Sequence, residues 1–272
     1  MIKAVVAGAA GRMGGRIIHM IQQGEEIILT GSFERPDHPA IGQDVGEMVG
    51  LGKIGINLAG DISDAMKDAD VLIDFTTPES TLDNIRFIAE AGKAMVIGTT
   101  GITGEDEREL KLLAQKIRCV RSPNMSVGVN VLFKVVEGLS IILGKNWDME
   151  VVEAHHRLKK DAPSGTAMHL AKILADSTER NLETNAVYER KGFIGVRTAE
   201  EIGIQSIRAG DIVGEHTVMF AGTGERIEIT HRAHSRDNFA KGALLAATWV
   251  VKQPNGIYDM QDVLGLRERK NV

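Results

Sequence analysis

The chain has 272 residues, 43% hydrophobic and 25% charged, a globular composition whose length suits about two domains. Its formal net charge of −5 excludes a global cationic field for holding nucleic acid or an anionic membrane, so small molecules are the expected partners. Cys119 is the single cysteine, which excludes a disulfide within the chain.

The N-terminus, Met1-Ile2-Lys3-Ala4-Val5-Val6, moves straight into a strand, without the charged and long apolar regions of an export signal. No stretch approaches the roughly 18 uninterrupted apolar residues of a membrane span. The expectation is a cytoplasmic protein with neither nucleic acid nor a membrane among its partners.

Short apolar runs then alternate with amphipathic segments, the pattern of a parallel sheet covered by helices. Val5-Val6-Ala7 opens it, and Met13, Ile17, Met20 and Ile21 fall at helical spacing within residues 12–23. Ile27-Ile28-Leu29 gives a second strand ending near Gly31, and Pro36 to Gly60 is Gly-rich and irregular. Val71-Leu72-Ile73-Asp74-Phe75 is apolar enough for a central strand buried on both faces. A helix at 79–91, a strand Ala94-Met95-Val96-Ile97, a helix from Glu105 to Lys116 and a strand at Cys119-Val120 follow.

Near residue 126 the pattern changes. A helix at 128–143 leads into the strand Glu150-Val151-Val152-Glu153-Ala154, and a second helix spans 165–176. Ile204-Gln205-Ser206-Ile207, Glu215 to Phe220 and Arg226 to Thr230 are strands without helices between them, and Gly222-Thr223-Gly224 supplies a hairpin turn. That predicts a mixed or antiparallel sheet. A final amphipathic helix, Asn238 to Lys252, precedes a short tail, and pattern alone does not assign it to either domain.

Gly8-Ala9-Ala10-Gly11-Arg12-Met13-Gly14 joins the first strand to the first helix, where glycines let backbone N–H groups approach a pyrophosphate at a helix amino end. The GxxGxxG spacing is weak by itself, and a plain structural turn is the alternative; the flanking strand and helix favour the nucleotide reading. Glu34, twenty residues after Gly14, is placed to accept hydrogen bonds from ribose hydroxyls, and Arg35 to pair with a 2′-phosphate. The doublet points to use of both NADH and NADPH, although either residue also reads as a solvated loop charge. Gly98-Thr99-Thr100-Gly101 and Ser122-Pro123-Asn124-Met125 end later strands, at the edge where dinucleotides bind.

The densest polar cluster runs from Glu153 to Thr166, between a strand and a helix. Neighbouring side chains of an extended backbone point to opposite faces, so His155 and His156 do not readily chelate one metal. Pro163-Ser164-Gly165-Thr166 reads as a helix start whose N–H groups bind a carboxylate, with Ser164 or Thr166 adding a hydroxyl. Lys159 supplies a positive charge and a proton, and His155 a second acid. A solvated basic loop with a helix cap is the bland alternative.

His155-His156-Arg157-x-Lys159-x-Asp161-Ala162-Pro163-Ser164-Gly165-Thr166 resembles the signature segment of the 4-hydroxy-tetrahydrodipicolinate reductases, enzymes of the diaminopimelate route to lysine. Val6 to Gly14, Gly98 to Gly101, Gly214-Glu215-His216-Thr217 and Ile229 to Ala233 look like further family segments in the family's order, so the resemblance spans nearly the whole chain. It implies an α/β fold: a Rossmann-like parallel-sheet domain from residues 1–126 and 237–272, and a smaller α+β substrate domain, 127–236, with a mixed or antiparallel sheet. It also implies homotetramers assembled through the substrate-domain sheets, NADH and/or NADPH as cofactor, and no metal.

By the same resemblance, His155 is the proton donor or acceptor and Lys159 the proton donor. His156, Ser164, Gly165, Thr166 and Thr100 meet the substrate, a cyclic imine dicarboxylate. Gly8, Ala9, Ala10, Gly11, Arg12, Met13, Glu34, Gly98, Thr99, Thr100, Ser122, Pro123, Asn124 and Met125 meet the cofactor, and Arg35 its 2′-phosphate. Met125 departs from the aromatic expected in some relatives, which puts one nicotinamide contact in question. The implied reaction is hydride transfer to C4 of the ring after loss of the 4-hydroxyl, with a proton delivered at C3 by Lys159 or a water it orients. Two other readings stay open: a reductase of another small amino-acid-derived substrate, and a nicotinamide-responsive sensor that has no use for Lys159 and His155.

Overall fold

Val5 and Val6 sit in an apolar run bounded by glycine, and that run forms β1 (Ile2–Ala7), buried from Ala4 onward. The computed structural model describes residues 1–267, and its chain falls into two units, Met1–Val127 with Arg236 onward, and Gly128–Ser235.

In the first unit β1 is followed by α1 (Arg12–Gln23), β2 (Ile27–Phe33), the short helices α2 (Val45–Met48) and α3 (Ile62–Ala65), and β3 (Val71–Asp74). α4 (Pro78–Ala91), β4 (Ala94–Ile97), α5 (Gly104–Ala114) and β5 (Arg118–Arg121) complete its first part. α4 starts where Thr77 caps the Ser80 amide and Pro78 occupies the first turn, and it stops at Gly92, whose φ of +64° is left-handed.

The second unit holds α6 (Val127–Leu143), β6 (Asp148–His155), α7 (Gly165–Ser177), α8 (Leu182–Asn185), β7 (Ala186–Val187), β8 (Ile202–Arg208), β9 (Gly214–Gly222) and β10 (Glu225–Ala233). The chain returns to the first unit for α9 (Asp237–Val250), β11 (Gly256–Tyr258) and α10 (Met260–Val263).

The first sheet has the order β11-β5-β4-β3-β1-β2 and all its pairings are parallel. Alternation along β1 sends Ala4 and Val6 to one face, with Ile17 and Ile21 of α1 and Ala240, Ala243 and Ala247 of α9. Val5 and Ala7 go to the other, with Ile85 and Ile88 of α4 and Leu110 of α5. Both faces are covered, which is why these strands read as continuous apolar runs. The second sheet has the order β10-β9-β6-β8-β7 and is mixed: β10, β9 and β6 pair antiparallel, and β6, β8 and β7 parallel. α6 and α7 cover one face with Val129, Phe133, Val136, Leu170 and Leu174 against Val151, Ile204, Val218 and Phe220. The fold is therefore α/β, a Rossmann-like parallel sheet with a second, mixed sheet.

Several expectations need correction. The second strand runs past Gly31 to Phe33, because Gly31 to Phe33 continue the ladder on Val5 to Ala7 after a register shift. Gly31 marks a close approach and not an end: a Cβ there would lie 2.7 Å from the Ala65 carbonyl oxygen. The irregular stretch at 36–60 contains α2, capped by the Asp44 carboxylate, and the tail contains β11 and α10, both too short for periodicity to reveal. Finally, Val127–Asn146 is long and apolar enough to cross a membrane by length and composition, with a mean hydropathy of 1.7. A count of uninterrupted apolar residues passes over it because Lys134 and Glu137 break the run. In the fold, one side of this helix supplies Val129, Leu132, Phe133 and Val136 to the core of the second unit.

Candidate active site

The glycine loop leaves the carboxyl end of β1. Gly8 has φ +65°, its N–H bonds the Phe33 carbonyl at 3.0 Å, and its carbonyl accepts from Gly11 N at 2.9 Å. A Cβ on Gly14 would lie 2.2 Å from the Gly8 carbonyl oxygen, so α1 packs against the loop only because Gly14 has no side chain. α1 begins at Gly11 without a side-chain cap, and Arg12 and Met13 form its exposed and half-buried start. These are the features of an anion site at a helix amino end.

Glu34 follows β2, and its carboxylate accepts from Ala10 N at 3.1 Å. Arg35 is exposed and pairs with Asp37 at 3.0 Å. A cleft of about 800 Å³ is lined by Gly8, Ala10, Gly11, Glu34, Arg35 and Thr76, among others. A bare glycine cradle, a carboxylate at the end of the second strand and an open cleft beside both fit a dinucleotide.

The next strand ends are tied together by Asp74, fully buried at the end of β3. It accepts from Thr76 N at 2.9 Å, Thr76 Oγ1 at 2.6 Å, Asn84 Nδ2 at 2.9 Å and Thr99 Oγ1 at 3.3 Å. Thr81 also donates to Thr99 at 2.8 Å, so the β3 and β4 ends share one hydrogen-bond network. Thr100 is exposed beside Thr99. A Cβ on Gly98 would lie 2.1 Å from the Phe75 ring, which fixes how closely those two ends approach. After β5, Ser122 is buried and donates to the Asn124 carbonyl at 2.9 Å, while Pro123 is exposed. Met125 is buried in one core with Ala240 and Ala243 of α9, and its carbonyl lies against Gly242 of the same helix. Cys119 is also buried, and burial pushes its thiol up to about 12.

In the second unit, β6 alternates buried and half-buried side chains. Met149 and Val151 point into the core, and Glu153 and His155 continue on that same buried side. Glu153 pairs in register with Ser206 of β8 and His216 of β9. Its carboxylate receives the Arg208 guanidinium in two bonds of 2.8 Å, His155 Nδ1 at 2.5 Å and Ser164 N at 3.1 Å. Burial pushes the Glu153 carboxyl up, but its bonds to His155, Arg208 and Ser206 outweigh it and hold the group well below the usual carboxylate range. Ser164 caps α7 by accepting from Ala167 N at 3.2 Å, and its Oγ shares a hydrogen bond of 3.1 Å with His216 Nε2. His216 is buried edge-to-face against His155, ring centroids 5.1 Å apart, and burial above all brings its pKa down to about 3.

The turn between β6 and α7 carries the remaining expected residues. Lys159, 22% exposed at its side chain, pairs with Asp161 at 2.9 Å. Burial raises the Asp161 carboxyl, but the Lys159 bond, a backbone hydrogen bond and the charges of Lys159 and Arg208 together outweigh it and hold the group below its ordinary value. His156 is half-buried just past the strand, Thr166 is buried, and Gly165 is exposed at the start of α7 with nothing within 4 Å of an added Cβ. His155, Lys159, Ser164 and Gly165 thus share one turn in the second unit, whereas Thr100 and the residues expected at the cofactor lie in the first. Among the described residues no group of three or more His, Cys, Asp or Glu side chains is placed to hold a metal ion. Sequence reading assigned no role to Asp74, Glu153, Arg208 or His216. The available signal was phase: Glu153 falls in step with Met149 and Val151, and His216 with Val218 and Phe220, on positions that alternation buries.

A glycine loop at the carboxyl edge of a parallel sheet, joined in one chain to a second unit with a buried His-Glu pair beside a helix start, defines a dinucleotide-dependent oxidoreductase. Family models described as dihydrodipicolinate reductase, N-terminus and C-terminus, match residues 2–125 and 128–264. A 4-hydroxy-tetrahydrodipicolinate reductase of Syntrophobacter fumaroxidans is 54% identical over 98% of this chain and 100% of its own, and one of Syntrophus aciditrophicus is 51% identical over the same shares. Among solved structures, the dipicolinate-bound dihydrodipicolinate reductase of Paenisporosarcina sp. TG-14 aligns with a TM-score of 0.74 at 24% identity, covering 96% of this chain and 98% of that one. An amine dehydrogenase of Mycobacterium smegmatis aligns with a TM-score of 0.64 at 15% identity, covering 98% and 97%. These two likenesses show the fold. The chain belongs to the dihydrodipicolinate reductase family, and it is an NAD(P)H-dependent oxidoreductase of lysine and diaminopimelate biosynthesis.

Proposed function

We propose that the reduction of 4-hydroxy-tetrahydrodipicolinate to tetrahydrodipicolinate runs on the turn between β6 and α7, with His155 and Lys159 as its proton-handling residues. One observation carries this reading: an imidazole, an ammonium group and a helix amino end whose first residue, Gly165, is exposed lie on one turn, between His155 and Gly165. The amide of Gly165 and the hydroxyl of Thr166 bind a substrate carboxylate, favoured there by the positive end of the α7 dipole. His156, Ser164 and Thr100 complete the substrate contacts.

The substrate loses its 4-hydroxyl as water, which leaves an unsaturated ring. Bound in the reduced form, the nicotinamide supplies the hydride taken up at C4. Lys159, or a water it orients, delivers the balancing proton at C3, and Asp161 keeps its ammonium aimed along the turn. His155 Nε2 gives or takes the proton that moves with the ring nitrogen or the departing water. Residues 1–126 with 237–272 are assigned the dinucleotide, and residues 127–236 the substrate. Gly8 to Met13 hold the pyrophosphate, Glu34 the ribose, Arg35 a 2′-phosphate, and Gly98 to Thr100 with Ser122 to Met125 the nicotinamide end. The same reading has the protein act in the cytoplasm as a homotetramer built through the second sheet, whose edge strand β10 is open on one side.

The test is a coupled assay on freshly made substrate with NADH and NADPH in separate reactions, run on the native chain and on Lys159→Ala. The variant is expected to lose at least about 100-fold in kcat while binding the dinucleotide normally. Unchanged turnover removes Lys159 from the mechanism. Nicotinamide oxidation with other imines, and none with this substrate, overturns the assignment. Light scattering on the purified protein tests the tetramer.

A further inference from the structure

The buried carboxylate of Glu153 is bonded by four nitrogen donors, besides the Ser206 hydroxyl. Oε1 takes Arg208 Nη2 at 2.8 Å and Ser164 N at 3.1 Å, and Oε2 takes Arg208 Nη1 at 2.8 Å and His155 Nδ1 at 2.5 Å. A carboxylate offers about four lone-pair sites, and all are filled. Three of these partners are donors by their nature, so the carboxylate stays ionised and His155 Nδ1 must be a donor too. That fixes the imidazole: Nδ1 carries hydrogen, and in the neutral ring Nε2 keeps its lone pair.

Two further contacts extend the arrangement. Arg208 Nη2 also donates to the Asp161 carbonyl at 2.7 Å, so the guanidinium that neutralises Glu153 holds the turn carrying Lys159. Ser164, bound to Glu153 through its N–H, is the cap of α7. On the other side of His155, a Cβ at Gly214 would lie 3.1 Å from Nε2, so the glycine keeps that nitrogen approachable.

We infer that Glu153 is a positioning residue for the reduction: paired with Arg208, it sets the tautomer and aim of His155 and holds the Asp161–Ser164 turn that leads into α7. The inference rests on the proposed role of His155 for its functional meaning, but the tautomer is measured independently of that role. Glu153 itself stays out of the chemistry, since no lone pair is left to reach a substrate. Truncating it frees the ring, loosens the turn and takes from Arg208 its bidentate carboxylate partner.

The experiment is ¹⁵N NMR of histidine-labelled, full-length protein near pH 8, with the His155 signals assigned by their loss in His155→Gln. The native protein is expected to show Nδ1 protonated, and a bare Nδ1 overturns the inference with no variant needed. In Glu153→Gln the amide presents a donor to Nδ1 as readily as an acceptor, so a shift towards protonated Nε2 is expected, with kcat down at least about tenfold and KM for NADH unchanged. Glu153→Gln with the native tautomer and native kcat also overturns it. Arg208→Lys keeps the charge but not the fork, and is expected to retain Nδ1–H and lose less activity than Glu153→Gln; an equal loss with the tautomer altered gives the orienting role to the guanidinium and overturns the assignment to Glu153. If His155→Gln remains fully active while Glu153→Gln shifts the tautomer, the proposed role of His155 has failed and the positioning of its ring has not.

Discussion

Arg16 on α1 and Asp237 at the start of α9 face each other fork to fork, Nε to Oδ1 and Nη2 to Oδ2, each at 2.8 Å and across 221 residues of sequence. The pair fastens the helix after the glycine loop to the helix that returns the chain to the first unit. Its side chains are 41% and 33% exposed, so solvent screens it and geometry is its main asset. Arg16→Ala is expected to lower stability by about 1 kcal/mol. A double-mutant cycle with Asp237→Ala in urea unfolding measures the coupling, and additive losses mean that the two residues act separately.

Asp74 is the larger stake in the first unit. Asp74→Ala leaves the Asn84 amide and the Thr76 and Thr99 hydroxyls without their buried acceptor, a loss of about 2–4 kcal/mol. Thr99 belongs to the proposed cofactor contacts, so dinucleotide affinity should fall as well. Thermal unfolding and cofactor titration check both, and native affinity in a destabilised variant separates the strand-end network from the binding site.

The pH dependence of stability should carry the mark of His216. Its folded pKa of about 3 lies below the unfolded 6.5, so between those values the unfolded chain binds a proton that the folded chain refuses. Stability therefore falls as pH drops through that window, at up to about 1.4 kcal/mol per pH unit. Glu153 adds to this below its unfolded value of 4.5, because its depressed folded pKa stabilises only while the unfolded group is ionised. Urea midpoints at pH 7, 6 and 5 test the upper part, where His216→Gln should flatten the slope and leave the steeper fall below pH 4.5 in place.

Gly242 in α9 lies so close to the end of the β5 loop that an added Cβ would fall 1.7 Å from the Met125 carbonyl oxygen. The clash is with backbone, so no rotamer change relieves it. Gly242→Ala is expected to destabilise by more than about 2 kcal/mol despite its better helix propensity. A circular-dichroism melt decides it, and a native or raised Tm means that α9 moves freely off that loop.

Cofactor choice is testable at Arg35, whose guanidinium is exposed and engaged with Asp37. Arg35→Ala should weaken NADPH by about tenfold while leaving NADH little changed, because the 2′-phosphate is the only group the two do not share. Asp37→Asn, which releases the guanidinium, should move the ratio the other way. Equal losses for both dinucleotides take the phosphate contact away from Arg35.

The alternation of apolar runs and helices was legible because Val71 to Asp74 and Ala94 to Ile97 are buried on both faces. The hairpin at Gly222 to Gly224 announced itself by composition. What stayed hidden had local causes. Gly31 reads as a breaker, and only the nearby Ala65 backbone shows why a glycine belongs inside that strand. β11, at three residues, shows no period and is defined by its partner Arg118 to Val120. In the site, His155, Lys159 and the Ser164 cap stood out as chemically able residues between a strand and a helix. Arg208 did not, because it reaches Glu153 from 55 residues away and sequence spacing says nothing of that meeting.

Ala240, Ala243, Ala246, Ala247 and Val250 share one core with Ala4 and Val6, although the whole second unit lies between them in the chain. During translation the opening strands therefore leave the ribosome with one side of their sheet covered by α1 but still lacking α9, while the intervening unit has all of its own residues and is free to fold. The first part of the protein to be made is among the last to be sealed. A nascent chain halted at residue 236 should accordingly light up an apolar dye, and one released after Val263 should not.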